Sequence, residues 1–291
     1  MAIIQWYPGH MAKAKRELTE KLPLVDIVFE LVDARIPDAS RNPDLMELIE
    51  NKPSILILMK PDLADPNVTN EWLRYYREQG ITALTFNGKS DREIPKIIEA
   101  AEAALTDHAA KRESKGLLER AMRAVTVGVP NVGKSTLINR FAGKNITKTG
   151  NRPGMTQAQQ WIKYKKQVEL LDIPGILWPK FEDQLVGKKL ALTGAIKDAI
   201  FHLDDISLYG MDYIVEHYPG TLAKRYNFAE NLETELSGPD LLLLITEKRG
   251  YFDDYERGAA MFLHELRNGK LGQMSFERPG DLIEDASETD N

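Results

Sequence analysis

At 291 residues the chain is long enough for about two domains of roughly 150 residues each. Its 43% hydrophobic and 28% charged residues exclude disorder throughout. The net charge of −6 excludes a wholly basic nucleic-acid coat but not a local basic face, and the absence of cysteine excludes disulfides, cysteine zinc sites and thiol nucleophiles. Five scattered histidines make no metal-site pattern. No apolar run reaches the roughly 18 residues of a membrane span, and the first twenty residues lack the apolar stretch of a secretory signal. The chain reads as cytoplasmic.

Taken in order, residues 26–32 (DIVFELV), 54–59 (SILILM), 82–86 (TALTF), 124–127 (AVTV) and 168–172 (VELLD) read as buried strands. Continuous Ile, Leu and Val runs of this length suit a parallel sheet covered on both faces. Helical patterns, for example 94–105 and 134–141, lie between them, and this alternation predicts a doubly wound α/β domain. Beyond about Gly187 the strand signals stop, and 204–217, 232–248 and 255–267 read as amphipathic helices. These patterns predict a sheet domain over 1–180 that includes an N-terminal helical segment, an all-helical domain over 181–276 and an acidic flexible tail over 277–291. The tail carries Glu277, Asp281, Glu284, Asp285, Glu288 and Asp290 against Arg278 alone.

Gly128-Val129-Pro130-Asn131-Val132-Gly133-Lys134-Ser135 matches G-x-x-x-x-G-K-[ST], follows a predicted strand and opens a predicted helix. Its backbone N–H groups, through Asn131, Val132, Gly133 and on to Thr136, are placed to wrap phosphates. Lys134 is the candidate for the β- and γ-phosphates, and the Ser135 hydroxyl for Mg²⁺. Asp172-Ile173-Pro174-Gly175 ends the next strand and fits D-x-x-G. Its Asp would hold the metal through water, and the Gly175 amide would sense the γ-phosphate. Thr156, in Arg152-Pro153-Gly154-Met155-Thr156, is a candidate second Mg²⁺-binding hydroxyl of a switch loop. A phosphate loop alone does not separate ATPase, kinase and GTPase.

Met59-Lys60-Pro61-Asp62 resembles the guanine-reading N-K-x-D motif, and Asn87-Gly88 sits where a second base-contacting loop would come. Both precede the phosphate loop, which is the order of a circularly permuted GTPase. With Trp6-Tyr7-Pro8-Gly9-His10-Met11, Asp33-Ala34-Arg35, the segment 175–183 (GILWPKFED) and Glu247-Lys248-Arg249-Gly250, most of the chain resembles the bacterial ribosome-biogenesis GTPase A family, YlqF type. The resemblance implies a GTP hydrolase that acts on the large (50S) ribosomal subunit precursor and contacts rRNA through its helical domain. It also implies His10 as the group that positions the attacking water, because Ile176 stands where a Ras-like enzyme has glutamine. Asn131 resembles the K⁺-binding asparagine of potassium-activated GTPases. Met59 departs from the family's asparagine, so guanine preference is expected to survive through Asp62 at reduced affinity. The contrasting reading is a nucleotide-dependent RNA-binding scaffold with little turnover. Seven basic residues between Arg140 and Lys166, with no acid among them, predict an RNA-facing surface. The tyrosines at 209, 213, 218 and 226 read as bundle core. Off the particle the chain is expected to be a monomer.

Overall fold

A computed structural model describes residues 4, 7–90, 92–106, 120–144, 160–252 and 254–281. Six strands form one sheet in the order β3-β2-β1-β4-β6-β5. These are β1 (Ile27–Asp33), β2 (Ser54–Met59), β3 (Ala83–Phe86), β4 (Met122–Gly128), β5 (Gln160–Tyr164) and β6 (Val168–Asp172). All neighbours are parallel except β5, which runs antiparallel to β6 at the edge. β1 is buried at all seven positions and β2 at its last five, as strands covered on both faces must be. The chain winds from β1 outward through β2 and β3, then returns to β4 on the other flank of β1. That reversal is the topological switch point where doubly wound sheets place ligands, beyond the carboxyl ends of the strands.

Among the described residues the helices of the sheet region are α1 (Gly9–Lys21), α2 (Pro43–Ile49), α3 (Pro66–Glu78), α4 (Ile94–Ala104) and α5 (Lys134–Ala142). Asp65 caps α3 through Asn67 and Val68 N–H, with Pro66 at the first helical position. Gly143, at φ 65°, ends α5. After β6 come α6 (Gln184–Thr193), α7 (Leu203–His217), α8 (Thr221–Tyr226), α9 (Leu232–Glu235), α10 (Gly238–Lys248) and α11 (Tyr255–Arg267). The expected helix over 232–248 is broken where Ser237 caps α10 and Pro239 enters its first turn. Tyr226 is buried and Tyr209, Tyr213 and Tyr218 are half-buried in this bundle, as core residues are. Among the described residues no helix is long and apolar enough to cross a membrane.

The N-terminal segment forms α1, anchored by buried Met11, Ala14 and Leu18, with His10 in its first turn. One expectation differs from the structure. Glu277 is not part of a solvated tail: it is buried, and its carboxylate accepts from Asp38 N–H, Ala39 N–H and Lys189 Nζ (3.2 Å to the last). Burial pushes Glu277 up to about 7, against the opposing pull of Lys189. A carboxyl raised in the folded state binds its proton more tightly there than in the unfolded chain. Its contribution is therefore full below about pH 4.5 and is lost as pH rises towards 7. Glu277→Gln should flatten that fall, which is worth up to about 3 kcal/mol. Urea midpoints at pH 5 and pH 8 check this: the difference between them should shrink in the variant, and an unchanged difference would clear Glu277 of the effect.

Candidate functional site

The parallel strands carry the singled-out motifs to one edge of the sheet. Asp33 pairs across with Met59 and Met59 with Phe86, while Leu31 lies opposite Gly128 and Thr126 opposite Asp172. The loops after β2, β3, β4 and β6 therefore emerge side by side, although they are scattered over more than a hundred residues of chain.

Gly128 begins the phosphate loop at φ 152°, and a Cβ there would lie 2.4 Å from Leu31 O. Gly133 enters α5 at φ 118°. Both positions require glycine, one for space and both for backbone angle. Asn131 sits at φ 57° and its Nδ2 donates to Gly194 O at 2.8 Å, tying the loop to the end of α6. Val132 is buried, whereas Ser135 and Thr136 are partly accessible in the first turn of α5. The Lys134 ammonium is buried and donates to Gly128 O and Val129 O, both at 2.8 Å. Burial lowers it to about 7; Asp172 opposes that shift and Lys60 adds to it.

Asp172 is fully buried at the end of β6, and both carboxylate oxygens lack a hydrogen-bond partner among the described residues. Burial pushes it up to about 6 despite the nearby Lys134. A buried carboxyl with no donor is costly unless a cation completes it. A hydrated Mg²⁺ fits this oxygen-only donor. No group of three His, Asp or Glu residues placed to hold a metal ion exists among the described residues, so such an ion would take most of its ligands from phosphate, hydroxyl and water. Gly175 closes the D-x-x-G turn directly on the phosphate loop. A Cβ there would be 2.7 Å from Pro130 Cα and 2.9 Å from Lys134 Nζ. Ile176 N–H donates to Gly128 O, and its carbonyl accepts from Asn42 Nδ2 at 2.9 Å. Thr156 lies outside the described residues.

On the β2 side, Lys60 takes φ 57° and its Nζ reaches Asp33 Oδ2 at 3.0 Å. Asp33 also accepts a two-pronged contact from Arg35 at 2.8 and 2.7 Å. Burial works against the Asp33 charge, but Arg35 and Lys60 outweigh it and hold the carboxyl far below the usual range. Pro61 and Asp62 follow, half-buried, with Asp62 paired to exposed Lys89 at 2.7 Å. Met59 is buried, and its Cε stands 2.9 Å from where a Gly133 Cβ would be. The thioether thus packs the base loop onto the phosphate loop without a hydrogen bond. Asn87 N–H is held by Glu93 at 2.6 Å, and Gly88 backs onto Thr136 with its carbonyl taken by Arg140 Nε at 2.8 Å. Arg140 is thereby part of the site rather than of the basic surface. Lys144, Lys163, Lys165 and Lys166 are exposed, and Lys148 and Arg152 lie outside the described residues.

His10 is exposed in the first turn of α1. Ala14 and Leu18 of the same helix share a core cluster with Ile173 and Ile176, so α1 lies along the segment flanking Gly175. The site therefore gathers Met59 to Asp62, Asn87, Gly88, the phosphate loop, Asp172 and Gly175. Three participants were not legible beforehand: the Asp33–Arg35–Lys60 charge cluster, Asn42 and Arg140. Asp33 and Arg35 were visible only as part of a motif, with no local spacing to indicate their partner Lys60.

Residues 123–249 match the family model described as 50S ribosome-binding GTPase. The chain is 50% identical to the ribosome biogenesis GTPase A of Bacillus cereus over 97% of each chain. It is 32% identical to that of Thermotoga maritima over 96% of each. It is also similar to the GDP-bound structure of TM YlqF, with a TM-score of 0.65 and 28% identity, covering 91% of this chain and 100% of that one. A second solved structure, GNP-bound YlqF from T. maritima, gives a TM-score of 0.64.

Proposed function

The chain belongs to the ribosome biogenesis GTPase A family, and on that premise we propose that it hydrolyses GTP to control its own residence on the large ribosomal subunit precursor. It is a GTPase, with a circularly permuted GTPase domain, and it acts in ribosome assembly. The observation that carries the mechanistic reading is the buried Asp172 carboxylate near Lys134, without a hydrogen-bond partner among the described residues, on the same sheet edge as two base loops.

In this reading Lys134 leaves Gly128 O and Val129 O for the β- and γ-phosphate oxygens. Backbone N–H groups from Asn131 to Thr136 take the remaining phosphate contacts. Ser135, Thr156 and, through water, Asp172 hold Mg²⁺, which supplies charge neutralisation at the transferring phosphate. Met59, Lys60, Pro61 and Asp62 line the guanine, with Asp62 accepting from its N–H groups, and Asn87 and Gly88 close the other side. Asn131 Oδ1 is the candidate K⁺ ligand. Gly175 N–H senses the γ-phosphate, so the triphosphate orders this turn and favours the particle-binding form. The protein acts in the cytoplasm, as a monomer when off the particle, with residues 181–276 and the exposed lysines of β5 and the turn after it facing rRNA.

Ile176 is buried in the cluster beneath α1, so its side chain does not orient water. α1 brings His10 to the same flank. His10→Ala should leave GTP affinity within about twofold and lower particle-stimulated turnover by about tenfold or more, the signature of a group acting only where water attacks. Unchanged stimulated turnover would remove His10 from the mechanism. The reading as a whole is tested by multiple-turnover hydrolysis of GTP and ATP, with and without large subunits, in K⁺ and in Na⁺. GTP preference with stimulation by large subunits is expected. Negligible turnover under every condition would favour the scaffold instead, and equal rates in K⁺ and Na⁺ would remove Asn131 as a cation ligand.

A further inference from the structure

We infer that the segment after α11, residues 273–276, is the outer brace of the guanine loop, with Ser275 and Tyr218 as positioning residues that set base selectivity. The inference rests on the reading of residues 59–62 as the guanine loop. After Gly272 the chain leaves the helical region and crosses the loops that follow β2 and β1. Gln273 Nε2 donates to Asp62 O at 3.4 Å, and Met274 N–H to Leu63 O at 3.0 Å. Ser275 Oγ accepts from Asp65 N–H at 3.3 Å. Phe276 N–H donates to Arg35 O at 2.8 Å, and Trp72 Nε1 donates to Glu277 O at 3.2 Å. Each residue from 273 to 277 is thus bonded to the sheet region, and those from 273 to 276 reach the two loops carrying Asp62 and Arg35.

Tyr218, at the end of α7, fixes the crossing. Its hydroxyl accepts from Ser275 N–H at 3.0 Å and lies 3.2 Å from Ser275 O and 3.4 Å from Asp65 Oδ2. Met274, Ser275 and Phe276 are all buried, so these bonds are shielded from competing water.

The need for such a brace follows from Met59. Its packing against Gly133 holds the loop down without direction, whereas reading guanine requires the Asp62 carboxylate at a set angle to two N–H groups. The 273–275 crossing adds directional bonds to the loop backbone at Asp62 O, Leu63 O and Asp65 N–H, beside the local bonds from Leu63 N–H to Lys60 O and from Thr69 to Asp65 O. Loss of one or two of them should therefore cost affinity only where the base is read.

The test compares Ser275→Ala and Tyr218→Phe with the parent protein for binding of GDP, ADP and inorganic tripolyphosphate. Each variant should bind GDP about three- to tenfold more weakly, the worth of a neutral hydrogen bond, with ADP and tripolyphosphate unchanged. Unchanged tripolyphosphate binding also shows that the variants are folded. Adding Met59→Asn, which supplies a directional bond from inside, should restore most of the GDP affinity in either background. Equal losses for GDP, ADP and tripolyphosphate would mean a merely structural role and overturn the inference, as would unchanged GDP binding in both variants. Asp62→Asn separates this from the underlying reading, because it should exchange guanine for xanthine preference. If it does and the brace variants stay silent, only the brace fails; if it does not, the loop assignment fails and the brace with it.

Discussion

Lys134→Ala is expected to reduce GTP affinity at least about a hundredfold, the worth of losing charged hydrogen bonds of about 1.5–3 kcal/mol, while the protein stays folded. In the structure the ammonium donates to two carbonyls of its own loop and is lowered to about 7 by burial. Its charge is therefore poorly solvated and awaits an anion. Removing it takes away the side chain proposed for the β- and γ-phosphates and leaves the base loops intact. Because a buried cation contributes little to folding when its charge is this depressed, the thermal midpoint should move by only a few degrees. Titration calorimetry with GTP and a thermal scan on the same samples give both numbers. A GTP affinity within threefold of the parent would remove Lys134 from the phosphate site, and a collapse of the midpoint would recast it as a structural residue.

The contrast between local and distant determinants explains what could be read in advance. Five of the six strands are rich in apolar and β-branched residues and stand out by composition. β5 (QWIKY) does not: it alternates, lies at the sheet edge and places Trp161 and Lys163 in solvent, so its pattern resembles an exposed turn. The phosphate loop is legible because the residues of its motif, Gly128 to Ser135, lie within eight positions, although its packing partners Leu31, Met59, Gly175 and Gly194 do not. The charge cluster of Asp33, Arg35 and Lys60 spans 27 residues and two strands, and only the parallel register of β1 and β2 brings it together. The crossing at 273–277 is further from view still. Its partners lie some two hundred residues upstream, and its acidic neighbours Glu277 and Asp281 imitate a solvated terminus. The burial of Glu277 shows how a charge count misreads a carboxylate whose donors, two backbone amides and Lys189, lie far away in the chain.

Replacing Lys163, Lys165 and Lys166 together by glutamate should weaken binding to large subunits by about a hundredfold or more at low salt, and leave GTP affinity unchanged. These side chains are exposed on β5 and the turn after it. Lys163 reaches Glu169 at 3.5 Å with 74% of its side chain exposed, an ion pair of the kind that contributes little to stability. Beside them Arg123 lies over the exposed Trp161 ring, 5.3 Å from its centroid, so the edge offers cations and an aromatic face together. The sheet order separates β5 from β4 and its phosphate loop by β6, which is why nucleotide affinity should not follow. Each RNA phosphate left without its lysine lowers the slope of log affinity against log salt by about 0.7–0.9. The triple variant should therefore show a slope shallower by about two to three, as well as weaker binding. Weaker binding with an unchanged slope would mean that the lysines act through folding rather than through phosphate. The same salt series should be run with large subunits, small subunits and unstructured RNA, reading GTP turnover. On the proposed reading the particle does more than neutralise charge, bringing His10 and the Gly175 turn into their working arrangement, so only the large subunit should stimulate. If small subunits or bulk RNA stimulate as well, the enzyme is a GTPase with a different partner, and the lysine edge is a general polyanion surface.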